Sequence, residues 1–528
     1  MTEAQARPKP PNFLEIHWAS KPDKLAIIGP DRALTYGQLR ERSRALAKRM
    51  YQMGLRPGDQ VAVMTYNLPE SAEIANALFY LQVGGVMVGY RMMPREIEFI
   101  VDNSDSKMVF FWHEFAERIL PFKENYRKVM PQGFVSFGGS AEGALEYEDL
   151  FLGPPEIDLD NLPAPEQVGS NLIYTSGTTG RPKGAARGAD FAAKPGVMDY
   201  LFQTISFLGL IPDDVHLICC PLYHSAPYYF ATVNIILGGT RVLQPRFDPV
   251  QFLELVHQHK VTSTHLVPTM VIRLLQVPEE VTSRLDLSSL RSVICGAAAL
   301  HPQYKLAFLD RFGDCLYEYY GATETGVNTF ITPQEMRERP SSVGRAFANN
   351  ELRIYDAEGN KVPEGERGIL YLWNPIMMER YYKNEKATVE TFRGRHMTVG
   401  DVAICDKDGY YYIVDRVKDM IIRGGVNIYP AEVEDVLNGM PGIVDAAVVG
   451  KPDPELGEIV AAFIVLQEGA QVTKDEIKEY CAQRMENHKI PAIIVFTHEI
   501  PRTPTGKILK KELRETLKEI YPHPDSVV

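Results

Sequence analysis

The chain has 528 residues, 45% of them hydrophobic and 23% charged, with a formal net charge of −12. That length exceeds one compact core and calls for two or more domains, and the composition excludes a disordered or fibrous chain. The acidic balance argues against a general nucleic-acid binder, which needs a basic face to displace counterions. Cys219, Cys220, Cys295, Cys315, Cys405 and Cys481 show no zinc-ligating spacing and are too sparse for a disulfide scaffold. A reducing, cytoplasmic compartment is the expectation. Residues 1–10 are polar and proline-rich without an apolar signal core, no stretch reaches the ~20 apolar residues of a membrane span, and Ser526-Val-Val528 is no peroxisomal address.

In chain order, short β-branched runs alternate with helical patterns. Strands are expected at Leu25–Ile28, Gln60–Met64, Lys107–Phe111, Val215–Ile218, Ser263–Val267 and Ser292–Cys295. Residues 153–169, polar and proline-rich, read as a loop inside the large unit. Asp248 as N-cap and Pro249 at the first helical position open a helix with Phe252, Leu255 and Val256 on one face. A second helix around Tyr304–Phe312 leads to a strand at Leu316–Tyr320. After about residue 415 the texture changes to a compact α+β unit: a helix at Pro430–Leu437, strands at Val444–Val449 and Ile459–Val465, and a capping box at Thr473–Glu476 opening a helix to about Met485. The tail from Arg502 to Lys518 is basic. The expected architecture is α/β, a large multi-sheet unit over residues 1–414 and a smaller, mobile α+β unit over 415–528.

The densest chemistry lies in Tyr174-Thr-Ser-Gly-Thr-Thr-Gly-Arg-Pro-Lys-Gly184. Gly177, Gly180 and Gly184 allow positive φ and close backbone approach, Thr175, Ser176, Thr178 and Thr179 offer hydroxyls, and Arg181 and Lys183 supply charge. Such a loop suits a polyphosphate. It is not a Walker loop, because Pro182 precedes Lys183 and Gly184 follows it.

Four further segments follow. In Tyr319-Tyr-Gly-Ala-Thr-Glu-Thr-Gly326 an aromatic ring can stack on a base, a glycine admits the nucleotide and a carboxylate can hold Mg²⁺. In Val399-Gly-Asp401 one carboxylate suits two ribose hydroxyls, although Gly-Asp by itself is merely a turn. Asp415-Arg-Val-Lys-Asp-Met-Ile-Ile-Arg-Gly-Gly-Val-Asn-Ile-Tyr-Pro-Ala-Glu432 brings a charged stretch to a glycine pair where the texture changes. Pro501-Arg-Thr-Pro-Thr-Gly-Lys507 presents a lysine on a rigid loop; an ammonium there can offset repulsion between a carboxylate and a phosphate.

Together these segments, in this order and over nearly the whole chain, resemble the superfamily of AMP-forming acyl-CoA synthetases, nonribosomal-peptide adenylation domains and beetle luciferases, and most of all the medium- and long-chain acyl-CoA synthetases. The resemblance implies ATP, Mg²⁺ and coenzyme A as reactants. It makes Lys507 the mobile catalytic lysine, Glu324 the metal ligand and Thr323 a phosphate contact. It further implies nucleotide contacts from Thr175–Gly180, Lys183, Gly296, Ala297, Tyr319, Tyr320, Gly321 and Ala322, and ribose contacts from Asp401 and Arg416. Lys418 falls on the hinge, and Gly424 and Gly425 on the loop that guides the pantetheine arm. His224, in Pro221-Leu-Tyr-His-Ser-Ala-Pro227, falls beside the acyl carboxylate; a lone histidine is more often structural. No aspartate stands between Pro221 and Phe230, where amino-acid-activating relatives hold one, which favours an acid without an α-amino group. Tyr228, Tyr229, Phe230 and Cys295–Ala299 can wall the acyl pocket or belong to the core. The chain departs from the pattern at Ala185-Ala-Arg-Gly-Ala-Asp190, where many relatives carry a Thr-His pair.

The expected reaction is ATP-dependent acyl-adenylate formation followed by transfer to coenzyme A, on a medium- or long-chain or bulky alicyclic acid. The alternatives are an aryl-acid ligase, acyl loading of a carrier protein, a luciferase-like oxygenase and a non-catalytic binding relative. No nucleic-acid partner is expected, and assembly as a homodimer is left open.

Overall fold

The computed structural model describes residues 12–153, 155–163, 169, 171–175, 182–187, 194–503 and 506–522. Among these, four sheets organise the chain. The largest is nine-stranded, with parallel neighbours in the spatial order Leu316–Ala322, Ser292–Cys295, Ser263–Leu266, Val215–Ile218, Thr240–Leu243, Leu25–Ile28. Antiparallel strands close its two sides, Gly326–Ile331 and Arg345–Ala346 on one and Ala33–Thr35 on the other. An eight-stranded sheet runs through Gln60–Met64, Gly84–Met87 and Leu172–Thr175. A six-stranded sheet ends on the hairpin Asp401–Cys405 and Tyr411–Arg416.

The parallel strands are apolar on both faces because helices cover both; Gln60–Met64 is buried at all five positions. The expected strands at 25–28, 60–64, 215–218 and 292–295 form at those limits, while the one expected at 107–111 gains a residue at each end. Helix Pro249–His259 starts as its sequence dictates, with the Asp248 carboxylate accepting the Gln251 amide at 2.9 Å. Its buried stripe is Phe252, Leu253 and Val256, with Leu255 half-buried at the edge. Within the expected loop 153–169, residues 155–163 belong with the large unit, since Leu159 and Leu162 pack into the same core as Leu46 and Ile74.

The chain leaves the third sheet at Arg416 and enters a five-stranded fourth sheet at Ile421. The long antiparallel pair Ile443–Asp453 and Gly457–Leu466 forms its spine. Helices Pro430–Asn438 and Lys474–Ala482 pack on one face around Val448, Val460 and Ile477, and helix Lys510–Ile520 packs on the other around Val449, Phe463 and Leu513. Thr473 and Glu476 form the expected capping box. The helix they open ends at Ala482 and continues as turn to Met485, whose amide still donates to the Cys481 carbonyl at 2.9 Å.

Candidate active site

In a parallel sheet the loops beyond the carboxyl ends of the strands gather on one side, where ligands bind. Here strand Val215–Ile218 runs on to His224, strand Ser292–Cys295 to Gly296 and Ala297, and strand Leu316–Ala322 to Thr323 and Glu324. These ends open into a continuous cavity of about 2190 Å³, lined among others by Thr175, Lys183, His224, Thr323, Glu324, Arg416 and Lys507.

The loop built for a polyphosphate starts and finishes on one hairpin. Thr175 pairs directly with Lys183, and Tyr174 with Gly184. A Cβ on Gly184 would come within 3.1 Å of the Tyr174 ring, so the glycine lets the two strands close beneath the loop. Ser176, Gly177, Thr178, Thr179 and Gly180 lie outside the described residues.

Glu324 accepts hydrogen bonds from the hydroxyls of Thr175 at 3.2 Å and Tyr381 at 3.0 Å, both on Oε1. Oε2 is left without a partner among the described residues, which suits a hard cation shared with phosphate oxygens. No group of three or more acidic, histidine or cysteine side chains able to hold a metal occurs among those residues. A single carboxylate completed by substrate oxygens and water is the arrangement Mg²⁺ accepts. Lys183 Nζ lies 5.1 Å from the centre of the Tyr381 ring, so this tyrosine touches both the cation and the anion of the site. Sequence reasoning missed it. Tyr381 reaches the site through the two-residue strand Arg380–Tyr381 paired with Ala185 and Ala186, a register no local pattern announces.

Arg187 was also missed as a site residue. Where the chain departs from the family pattern, the Arg187 guanidinium donates to the carbonyls of Thr323 at 2.8 Å and Ile376 at 2.7 Å. It ties the far strand of the loop hairpin to the Thr323-Glu324 turn. Burial pushes its pKa down to about 10, with Glu324 opposing that shift, so it is charged at neutral pH.

Tyr320 donates to Asp401 Oδ2 at 2.7 Å, and Arg416 Nε lies 2.8 Å from Asp401 Oδ1. The register Asp401↔Arg416 across the hairpin sets this pair. Tyr319, adjacent in sequence, lines the cavity from the core side: it is 5% exposed and its hydroxyl meets His265 Nε2 at 3.0 Å. Gly296 makes room for that ring, since a Cβ there would stand 2.3 Å from it. Ala297, with φ at +74°, and Gly321 and Ala322 line the cavity.

Lys507 follows a tight turn in which the Thr503 amide donates to the Lys507 carbonyl at 2.7 Å and the Lys507 amide to Thr503 Oγ1 at 3.1 Å. Arg502 braces this turn, donating to the Gly506 carbonyl and, bidentately, to Asp445 at 2.8 and 2.7 Å. Desolvation, then the nearby Arg416 charge, pushes the Lys507 pKa down to about 8. Lys418 is exposed beside Arg416 and Asp419, and desolvation by the surrounding protein lowers its pKa too. Gly424 and Gly425 are not brought to the cavity. They form the turn of the hairpin Ile421–Arg423 and Val426–Ile428, with φ at +57° and +80°.

His224 caps helix Ser225–Ile236 with its backbone, and its Nε2 is shielded and has no hydrogen-bond partner among the described residues. Burial, then the Arg91 charge, pushes its pKa down to about 4, so the ring is neutral at physiological pH. Tyr228 and Tyr229 line the cavity, whereas Phe230 and Cys295 are core residues at 1% and 0% exposure.

Two family models match this chain: the AMP-binding enzyme over residues 14–382 and the AMP-binding enzyme C-terminal domain over residues 432–507. The chain belongs to the AMP-binding enzyme family. Among its relatives are a feruloyl-CoA synthase of Amycolatopsis sp, 34% identical over 93% of this chain and 96% of that one. A long-chain-fatty-acid–CoA ligase of Mycobacterium tuberculosis is 31% identical over 93% and 95%. The ATP-bound structure of MatB from Rhodopseudomonas palustris superposes with a TM-score of 0.85 at 27% identity, covering 97% of this chain and 99% of that one. The protein is thus an AMP-forming acid–thiol ligase of the acyl-CoA synthetase kind, with ATP, Mg²⁺ and coenzyme A as its reactants. No described helix is long and apolar enough to cross a membrane.

Proposed function

We propose that this ligase activates an elongated carboxylic acid with a largely apolar body, aryl, alicyclic or aliphatic, and that two poses of the C-terminal unit divide its reaction. The observation that carries the reading is the meeting of Lys507 with Thr323, Glu324 and His224 in one cavity that also extends to Leu14 and Ile74, well beyond the size of acetate. Aryl and alicyclic acids stand beside the fatty acids on equal terms, because the named substrates of the relatives include ferulate as well as long-chain fatty acids.

In the first pose the acid's carboxylate lies by neutral His224, whose unpartnered Nε2 is free to hold it. Asp401 and Arg416 hold the ribose, and Tyr320 flanks the adenine. The Lys507 ammonium sits between the carboxylate and the α-phosphate, offsetting the repulsion of two anions as one oxygen attacks and pyrophosphate leaves. Glu324 would hold Mg²⁺, which when bound would supply neutralisation of the phosphate charge. In the second pose, rotation about Lys418, within the 417–420 segment that separates the third sheet from the fourth, withdraws Lys507. The Gly424-Gly425 turn then replaces it and admits the thiol arm of coenzyme A. One unit with two working faces explains why the lysine is at the cavity while the glycine turn is not. The domain boundary is accordingly proposed at residues 417–420, slightly after the 414/415 position expected from sequence.

The test is AMP release from ATP and Mg²⁺ with a panel of aryl, alicyclic and fatty acids, each with and without coenzyme A. The expected result is sustained AMP release requiring both an elongated acid and coenzyme A. Release at equal rate without coenzyme A, or with a carrier protein as the sole working acceptor, would reject the assignment.

A further inference from the structure

Strand Thr240–Leu243, third from one edge of the nine-stranded sheet, carries Arg241 aligned with Ile27 on one neighbour and His216 on the other. The side chain is 5% exposed, yet it lines the cavity of the active site. Its Nε and Nη2 have no hydrogen-bond partner among the described residues. Among the described residues no carboxylate pairs with it. The groups that act on it are the hydroxyls of Tyr36 and Tyr228, and the Tyr36 hydroxyl is already spent on the Gly239 carbonyl at 2.8 Å. Asp213, whose charge acts on Tyr36, is bound to Lys21 and Lys24, and Glu15, which lines the cavity, is bound to Arg40, Arg44 and Tyr80. His216 beside it is neutral, its pKa pushed down to about 3 by burial and then by Arg241, and its Nδ1 meets Ser263 Oγ at 3.0 Å.

An ionised guanidinium withdrawn from water without a counter-ion is costly, and buried polar groups in native proteins are paired as a rule. An arginine retained in that condition facing a cavity is a binding group awaiting an anion, and the fork of a guanidinium matches a carboxylate bidentately. The apolar side chains of Leu14, Ile27, Ile74, Ile235 and Leu243 also line the cavity. Tyr228, which feels the Arg241 charge, stands one helical turn beyond His224 on helix Ser225–Ile236.

We propose that Arg241 binds a second carboxylate at the far end of the acid, so that the substrate is a dicarboxylic acid with an apolar body. The proposal rests on the assignment of His224 and Lys507 to the end where the first carboxylate is activated. The apolar wall explains why the body between them is hydrocarbon. Arg241 specifies the acid by leaving itself unpaired whenever the distal carboxylate is missing, and a site built this way rejects the analogue that lacks the group.

Three measurements on the full chain test this. Decanedioic and decanoic acids, matched in length, are compared in AMP release and, without ATP, by the shift each produces in the thermal unfolding midpoint. The expected result is that the diacid is preferred in kcat/KM by about tenfold or more and raises the midpoint, and that Arg241→Met abolishes both effects. Arg241→Lys, which keeps the charge without the fork, should retain part of the preference. In the absence of ligand, Arg241→Met should unfold at or above the wild-type midpoint, because it removes an uncompensated charge. A midpoint well below wild type, equal turnover of the two acids, or a diacid-induced shift that survives Arg241→Met would each overturn the proposal. The ligase assignment fails separately: no acid would release AMP, while an Arg241-dependent midpoint shift would still establish the anion site.

Discussion

The two ends of the cavity handle charge in opposite ways. At the proposed nucleotide end the carboxylates already have partners, Glu324 Oε1 with Thr175 and Tyr381, and both oxygens of Asp401 with Tyr320 and Arg416. At the acyl end His224 Nε2 and two nitrogens of Arg241 have none among the described residues. ATP enters every turnover and meets an end whose geometry is fixed in advance by hydrogen bonds that can be shared or exchanged, so orientation costs little at the moment of reaction. The acid differs from one family member to another, and on the proposed reading the acyl end keeps its polar atoms unsatisfied until the right acid supplies their partners. Preorganisation serves the common substrate and withheld pairing serves the selective one.

The strongest way to break this comparison is Lys507→Ala. If the lysine serves adenylation alone, pyrophosphate exchange should fall by about 10²–10³-fold, the usual result of removing one group that meets developing charge. Conversion of a supplied acyl-adenylate to the thioester should stay within about twofold of wild type. Equal loss in both half-reactions would mean that the C-terminal unit works in one pose, and the division between the two faces would fall with it.

Tyr381→Phe probes how far the nucleotide end depends on its own internal bonds. The substitution removes the hydroxyl on Glu324 Oε1 but keeps the ring under Lys183. Loss of a hydrogen bond to a charged group, about 1.5 kcal/mol at the low end, should lower kcat/KM for MgATP roughly tenfold with little change in the KM of the acid. An effect confined to the acid would place the tyrosine on the wrong side of the comparison. The same residue marks the limit of what the sequence discloses. Lys507, Glu324, Asp401 and Arg416 could be picked out because spaced motifs carry them, and strands such as Val215–Ile218 because a β-branched run between turn residues has few other uses. Tyr381, Arg187 and Arg241 are set by register. Tyr381 matters because its two-residue strand pairs with Ala185, and Arg241 because its position places it opposite Ile27 and His216, facing a cavity rather than a helix. A lone arginine in an apolar strand looks the same in sequence whether a carboxylate awaits it in the core or not.

The smallest expected effect is the pH dependence of adenylation, and it separates the two ends by the groups that titrate. Lys507 has its pKa lowered to about 8 by burial and by Arg416, with Lys418 in the same sense and Asp401 and Asp419 opposing. The ammonium is the active form, so kcat/KM should hold level from pH 6 to 7.5, halve at about pH 8 and fall about tenfold per unit beyond, since kcat/KM reports groups of the free enzyme. His224, lowered to about 4, contributes no limb in that range. Bound phosphates favour the ammonium, and therefore the limb in kcat should lie at higher pH than the limb in kcat/KM. Stability responds with the opposite sign. Because the unfolded lysine titrates near 10.5 and the folded one near 8, the unfolded chain holds the extra proton between those values, and this group's contribution to stability rises with pH across that window. A rate that falls above pH 8 while the unfolding midpoint shows a Lys507-dependent rise, absent in Lys507→Ala, ties both observations to one desolvated ammonium. A rate limb that persists in the residual activity of Lys507→Ala would assign it to another group.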